Sequence, residues 1–266
     1  MKDVEKNSIY SYILTLTDSK IFWYMGLLYL FILIVPIPTI SMEIFIVINL
    51  LSSLIFFIIL LFQKNNYFNL SYNKFIFFST IFNLILNITA TRTILTMGED
   101  YNGKIIPLMF TFIGINNYYL SLIIFFIILS VNIVIITKSC VSVSEVAARF
   151  TLDSFQIKQM AIDVEISSGV INQEDADLRK EALKKELDFF DDQDSVSKYI
   201  SLNEKIRIFI IAISLLFGII VGKFNGLSIN ESMQYYYSLI IGNGILSIIP
   251  VLLINTAINV TRLVKE

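Results

Sequence analysis

The chain predicts an all-α membrane protein of about six transmembrane helices, with a small helical cytosolic insertion between the fourth and fifth. Three observations lead there. Hydrophobic residues make up 56% of 266 residues and the mean hydropathy is +0.73, whereas a soluble domain holds about 45–50% apolar residues. Apolar runs recur at lengths near the roughly 17–25 residues that cross a bilayer as a helix. One long polar stretch, residues 138–207, interrupts them and holds 10 of the 20 Lys and Arg and 14 of the 22 Asp and Glu.

Residues 1–20 mix both charges and read as a cytosolic N-terminal segment with no cleaved signal peptide. Residues 21–137 hold about four spans. The first, Ile21 to Val35, is short and ends at the rigid Pro36-Ile-Pro38. The second, Ile40 to Phe62, carries Glu43. The third, Phe75 to Leu95, carries Asn83, Asn87 and Arg92. A Gly-bearing loop leads to a short re-entrant or interfacial piece, interrupted at GINN from Gly114, and then to the fourth span near Tyr119 to Ile136. Residues 206–262 supply the last two spans, Ile206 to Val221 and Tyr235 to Val260. The sixth contains IGNG at Ile241 to Gly244 and Pro250, and is expected to break near 241–250, as helices do where they line a cavity.

Lys and Arg favour the cytosolic side. With the N-terminus inside, the inner loops hold Lys64, Lys74, the polar island and the tail residues Arg262 and Lys265, while the outer loops hold Lys104 and Lys223. The N-terminus and the central loop are therefore expected in the cytoplasm.

The island, residues 138–205 in domain terms, reads as two helices. Asp153 to Ser168 places Ile157, Met160, Ala161 and Val164 on one face, with Asp153 and Gln156 as a loose capping box and Gly169 as the stop. The second runs from about Glu174 to Phe190, with Asn172 as N-cap and Ala176, Leu183, Leu187 and Phe190 on its apolar face. Arg149 and Asp153, four apart, share a helix face if the helix starts before Thr151.

Composition removes whole classes of chemistry. The chain has no His and one Cys, Cys140, which excludes His-based metal sites, Ser-His triads, an internal disulfide and a thiolate cluster. No nucleophile–base pair or phosphate loop stands out, so neither an enzyme nor a cofactor is expected. A net charge of −2 gives no reason to expect nucleic acid.

Several stretches, in order, resemble the FHIPEP family, the large export-gate proteins of flagellar and virulence type III secretion. They are EVAARFTLD from Glu145, KQMAID from Lys158, SSGVI from Ser167, and DFF with D-SVSKY from Asp188 to Tyr199. Pro36-Ile-Pro38 with Glu43 and Asn49, IFNLILNITATRTIL from Ile81 and YSLIIGNGILSIIPVLLINTA from Tyr237 extend the likeness from about residue 30 to residue 262. KQMAID and Ser197-Lys198 lean flagellar.

The resemblance implies an inner-membrane export gate that takes part in proton-motive-force-driven protein export. Other membrane subunits, a homo-oligomeric ring and exported proteins are its implied partners. Arg149, Asp153, Lys158 and Asp163 match the family's cytosolic-loop signature, and Asp194 and Lys198 are retained. Glu43 and Arg92 are the charges left in the spans, and with Asp194 and Lys198 they are the candidates for proton coupling. Asn83, Asn203 and Asn243 stand where the family has charged residues, and an amide does not exchange protons near neutral pH. The alternative is a truncated or reduced, proton-uncoupled structural subunit or decayed remnant. A generic secondary transporter with a midplane site at the broken sixth span is a fourth reading, after the export gate, a structural subunit and an enzyme. The family continues past VTRLVKE into two more spans and a cytosolic domain, so a truncated, reduced or split product is expected.

Overall fold

The structure, a computed structural model, describes residues 23–62, 70–114, 118–136 and 141–263. These residues form helices joined by turns and contain no strand. In chain order they are α1 Trp23–Ile34, α2 Thr39–Phe62, α3 Leu70–Met97, α4 Ile105–Gly114, α5 Tyr118–Val134, α6 Val141–Ser167, α7 Gln173–Phe224 and α8 Ile229–Leu263. Lys64, Cys140 and Lys265 lie outside the described residues.

Four helices are long and apolar enough to cross a membrane: α2, α3, α7 and α8. A fifth follows if α4 and α5, bent 90° to one another, form one broken span, in keeping with the expected short piece before the fourth span. The α1 helix is apolar but shorter.

The bundle is organised around α8, which packs against α2, α3, α4, α5 and α7. Burial covers 72% of its apolar window, against 28% in α2 and in α7. The pattern of α2 shows the logic of the other helices. Its inward positions are Thr39, Met42, Glu43, Ile46, Asn49, Ser53, Phe56 and Leu60, while Ile40, Ile44, Ile48, Leu51, Ile55 and Phe62 face outward. Lipid is as apolar as Leu, so burial of Leu gives no drive to associate, and small and polar residues collect between helices instead.

The sixth expected span does not break. It lies in α8, which is helical throughout with Pro250 inside it. The glycines of IGNG are points of close approach: a Cβ on Gly242 would overlap the backbone carbonyl of Ile106 in α4, and one on Gly244 would stand 2.7 Å from the Phe125 ring of α5. Gly218 and Gly222 of α7 meet Tyr236 and Ser232 of α8 in the same way. Sequence pattern alone does not separate a glycine that breaks a helix from one that admits a neighbour.

The expected boundary at residues 205 and 206 falls within a single helix. α7 runs unbroken from the polar island into the membrane part, so the second island helix and the fifth span are one helix. It pairs with α6 as a helical hairpin. Gly169 takes the left-handed conformation (φ 73°), with the Val170 amide donating to the Glu165 carbonyl at 3.0 Å, and Asn172 Oδ1 accepts from the Asp175 amide at 2.7 Å. Three ion pairs cross the hairpin in one antiparallel register: Lys158–Glu186 at 3.4 Å, Asp163–Lys180 at 2.6 Å and Glu165–Arg179 at 2.7 Å. All are exposed, so they fix register more than they stabilise.

Two further expectations fail in α6. It starts at Val141, so Asp153 lies inside the helix and caps nothing. Its buried face carries Ile162, Phe155 and Ile166 against Ala176 and Leu183 of α7, and the face with Ile157, Met160, Ala161 and Val164 is the exposed one. Both faces are apolar, so periodicity does not choose between them. On α7 the expected positions Ala176, Leu183 and Phe190 are buried.

The fit of α8 is directly testable. Gly242→Ala is expected to lower stability by about 1–3 kcal/mol, the cost of overpacking against backbone that cannot rotate away. Gly26→Ala, with nothing within 4 Å of the added carbon, is expected to keep stability or raise it by up to about 1 kcal/mol through helix propensity. Thermal unfolding in detergent measures both, and equal behaviour would contradict the packing.

Candidate functional site

Along α7 one face carries Ile200, Asn203, Glu204, Arg207, Ile211, Ser214, Gly218 and Gly222, all buried at spacings of one, three or four residues. The first charged part of this face is therefore carried inside the bundle with the rest. Glu204 is 1% exposed and Arg207 2%. One turn apart on the same helix, they form an ion pair through Arg207 NH2 and Glu204 Oε2. Asn132 of α5 donates to Glu204 Oε2 at 2.9 Å, and Arg207 NH1 donates to Ser247 Oγ of α8 at 3.4 Å. The pair thus ties α7 to α5 and α8.

Amides extend the cluster into a polar seam. Asn83 Nδ2 of α3 donates to the Ser247 carbonyl at 2.8 Å, and Asn243 Nδ2 of α8 donates to Asn87 Oδ1 of α3 at 2.7 Å. Asn83, Asn203, Glu204 and Arg207 border one small cavity, and Asn49, Asn83, Asn87 and Asn243 border the next. Each holds about 10 Å³, close to the room one water needs. Asn83, Asn203 and Asn243, far apart in sequence, therefore meet in one seam beside the ion pair.

The other candidates lie elsewhere and do other work. Glu43 receives four donors: the Tyr101 hydroxyl at 3.0 Å and the amides of Lys104, Ile105 and Ile106 at 2.9, 3.0 and 3.2 Å. Those amides open α4, where unpaired N–H groups and the helix dipole favour an anion. A Cβ on Gly103 would overlap this carboxylate, so the turn is shaped around it. Arg92 is the mirror case. Its guanidinium donates to the carbonyls of Leu33, Ile34 and Val35 at 2.7, 3.2 and 2.9 Å, closing the C-terminal end of α1 before Pro36.

In the island part of α7, Lys198 pairs with Asp194 one turn away at 2.8 Å and is mostly exposed. The hydrogen bond and charge of Asp194 raise the Lys198 pKa. Its share of stability is thus intact below the ordinary lysine value of about 10.4 and lost only at higher pH. The lowering by burial that would let Lys198 titrate near neutrality does not occur. Lys158 and Asp163 are hairpin ion-pair residues. Arg149 and Asp153 are exposed on α6. Among the described residues no group of three metal-ligating side chains converges.

Glu204, Arg207, Asn132 and Ser247 were not singled out by sequence reasoning. Placing the span from Ile206 left Glu204 with the island and Arg207 at the span's edge, which hid the pair. Their i, i+3 spacing, in step with Ile211, Ser214, Gly218 and Gly222, is the signal that locates them.

An all-helical bundle of apolar spans, with amides and one intrahelical ion pair buried among them and a charged helical hairpin leading into a span, is a multi-pass membrane protein. The chain belongs to the FHIPEP family, which it matches over residues 29–266. It is 38% identical over 274 residues to the flagellar biosynthesis protein FlhA of Borreliella burgdorferi, covering 100% of this chain and 39% of that protein. It is 38% identical over 240 residues to FlhA of Bacillus subtilis (88% of this chain, 35% of that protein). The FlhA of Salmonella typhimurium is 30% identical over 238 residues, covering 88% and 34%. The chain thus spans little more than a third of the length of these relatives. No solved structure matches it.

The helix-end role of Arg92 gives a prediction. Arg92→Leu should cost about 1.5–3 kcal/mol, as for hydrogen bonds from a charged donor. Arg92→Lys should recover only part, since an ammonium is not a planar fork. Thermal unfolding in detergent checks both, and full recovery by Lys would contradict the fork.

Proposed function

We propose that the chain is a component of the inner-membrane export gate of a flagellar-type apparatus, taking part in proton-motive-force-driven protein export. Family membership and relatives named as flagellar biosynthesis proteins support the setting. In this reading six spans, with α1 and the α4–α5 pair completing them, place the N-terminus and the α6–α7 hairpin in the cytoplasm. Other membrane subunits, further copies of the chain and exported proteins are its partners.

The observation that carries the coupling is the ion pair Glu204–Arg207, buried in the amide seam. Ionisable groups inside a membrane bundle are costly, and they are kept where protons or ions move. Glu204 is the carboxylate in that seam, and its charge is supported by the Arg207 guanidinium and one amide, Asn132. Glu43, held by four donors, serves as a fixed anchor for α4. Lys198 and Asp194 form an ion pair on the cytosolic stretch of the same helix. A second reading is favoured by one specific observation: Asn83, Asn203 and Asn243 all lie in the seam and exchange no proton. In that reading the chain is an uncoupled scaffold.

Proton flux into liposomes holding the full chain separates the two. The coupled reading predicts a flux that Glu204→Gln abolishes and Glu43→Gln leaves in place per folded molecule. Flux untouched by Glu204→Gln overturns the assignment. Flux that emerges only after Asn203→Asp and Asn243→Asp establishes the scaffold.

A further inference from the structure

The two small cavities of the polar seam share a wall. The first is bordered by Asn203, Glu204 and Arg207 of α7 and by Thr80 and Asn83 of α3. The second is bordered by Asn49 of α2, Asn83 and Asn87 of α3, and Asn243 and Ser247 of α8. Asn83 stands in both linings. Residues around each cavity also carry buried atoms that make no hydrogen bond: Asn203 Nδ2 and Arg207 Nε at the first, Asn49 Oδ1 and Asn87 Nδ2 at the second. These four residues are 2–7% exposed. Buried polar atoms left without a partner are costly and few, and here they gather at the two places in the seam with room for a small molecule.

We propose that the seam holds two internal waters in series, one in each cavity, with the Asn83 side chain as the partition between them. The unmade bonds match what a water offers, two lone pairs and two hydrogens. In the first cavity its oxygen accepts from Asn203 Nδ2 and Arg207 Nε, and its hydrogens turn to the Glu204 carboxylate and the Thr80 hydroxyl. That hydroxyl gives its own proton to the Ile76 carbonyl at 2.8 Å, so it meets the water as an acceptor. In the second cavity the water accepts from Asn87 Nδ2 and donates to Asn49 Oδ1. At about 10 Å³ each, the cavities have room for one water apiece, and each supplies the two or more polar partners that a buried water needs. A cation fits neither. The first cavity turns N–H donors towards it, and the second adds one unbonded oxygen where a hard cation takes about six. Asn83 is held across the seam by its bond to the Ser247 carbonyl at 2.8 Å. An amide exchanges no proton near neutral pH, whereas a water held by amides does. The two waters therefore supply, on either side of Asn83, the exchangeable groups that the amides lack. That use alone rests on the proton-coupled reading, and the hydration itself rests on the packing.

The test uses the full chain in lipid bilayers, with isotope-labelled asparagine. Solid-state NMR, with magnetisation passed from water at short mixing times, reads which side-chain amides touch water. Asn87→Asp and Asn203→Asp identify their two signals by loss. Transfer to both amides is expected in the unsubstituted chain, as it is to Asn230, which is exposed. Asn83→Leu extends an apolar side chain into both cavities, and should lose the transfer at Asn87 and Asn203 while keeping it at Asn230. Asn83→Ala removes the partition without closing either cavity, and should keep the transfer at both. Thermal unfolding in detergent shows which variants fold, and the unsubstituted chain decides the hydration even if Asn83→Leu does not. No transfer at either buried amide overturns the proposal. Transfer at Asn203 alone removes the second water and with it the series. Full transfer at both amides in a folded Asn83→Leu chain overturns the placing of the waters on either side of Asn83. None of these results depends on proton flux, so a dry seam and an uncoupled chain are separate outcomes.

Discussion

Glu204 and Arg207 must be taken out of water together or not at all. The desolvation of either ion alone costs several kcal/mol, and the mutual attraction offsets this only when the remaining donors and acceptors also find partners. The surroundings meet that condition in part with short polar side chains from other helices: Asn132 on the carboxylate and Ser247 on the guanidinium, while Arg207 Nε is buried without a partner. Ser247 in turn offers its carbonyl to Asn83. The placement of α3, α5 and α8 around α7 follows from satisfying one pair of charges, and the glycines of α7 and α8 let the helices come close enough to do so.

The remaining membrane-side charges obey a different rule. Glu43 and Arg92 sit at helix ends, an anion on the N–H groups that open α4 and a cation on the carbonyls that close α1. Each neutralises backbone groups that the helix end leaves without partners inside the helix. A charged residue in an apolar run therefore has two physical explanations, a helix end or a functional seam. The partners decide which applies, and backbone partners mark Glu43 and Arg92 as helix-end residues.

Much of the architecture was legible in the sequence because the signals were local. Gly169 and Asn172 fixed the hairpin turn through backbone conformation and capping, and Ala176 and Leu183 fixed the inner face of α7. The bend between α4 and α5 followed from polar residues in an apolar run. What was not legible depended on neighbours. IGNG and Pro250 looked like a break because nothing in a sequence says that Ile106 and Phe125 approach those glycines. The start of the fifth span was set by hydropathy, which leaves Glu204 outside and Arg207 at the very edge, while their helical phase places both inside. The inner face of α6 was misassigned because Ile162 and Ile157 are equally apolar, and only α7 tells them apart. The amides at 83, 203 and 243 were recognised as a set, yet their convergence beside an ion pair required the fold.

The central claim is that the bundle is built around the Glu204–Arg207 pair. A double-mutant cycle of Glu204→Gln, Arg207→Gln and the two combined, read as unfolding free energy in detergent or bilayer, tests it most directly. The account predicts a loss of about 3–5 kcal/mol for each single change, because each strands a buried charge. It predicts a combined loss well below their sum, because two neutral amides strand none. Small single effects that simply add would contradict it.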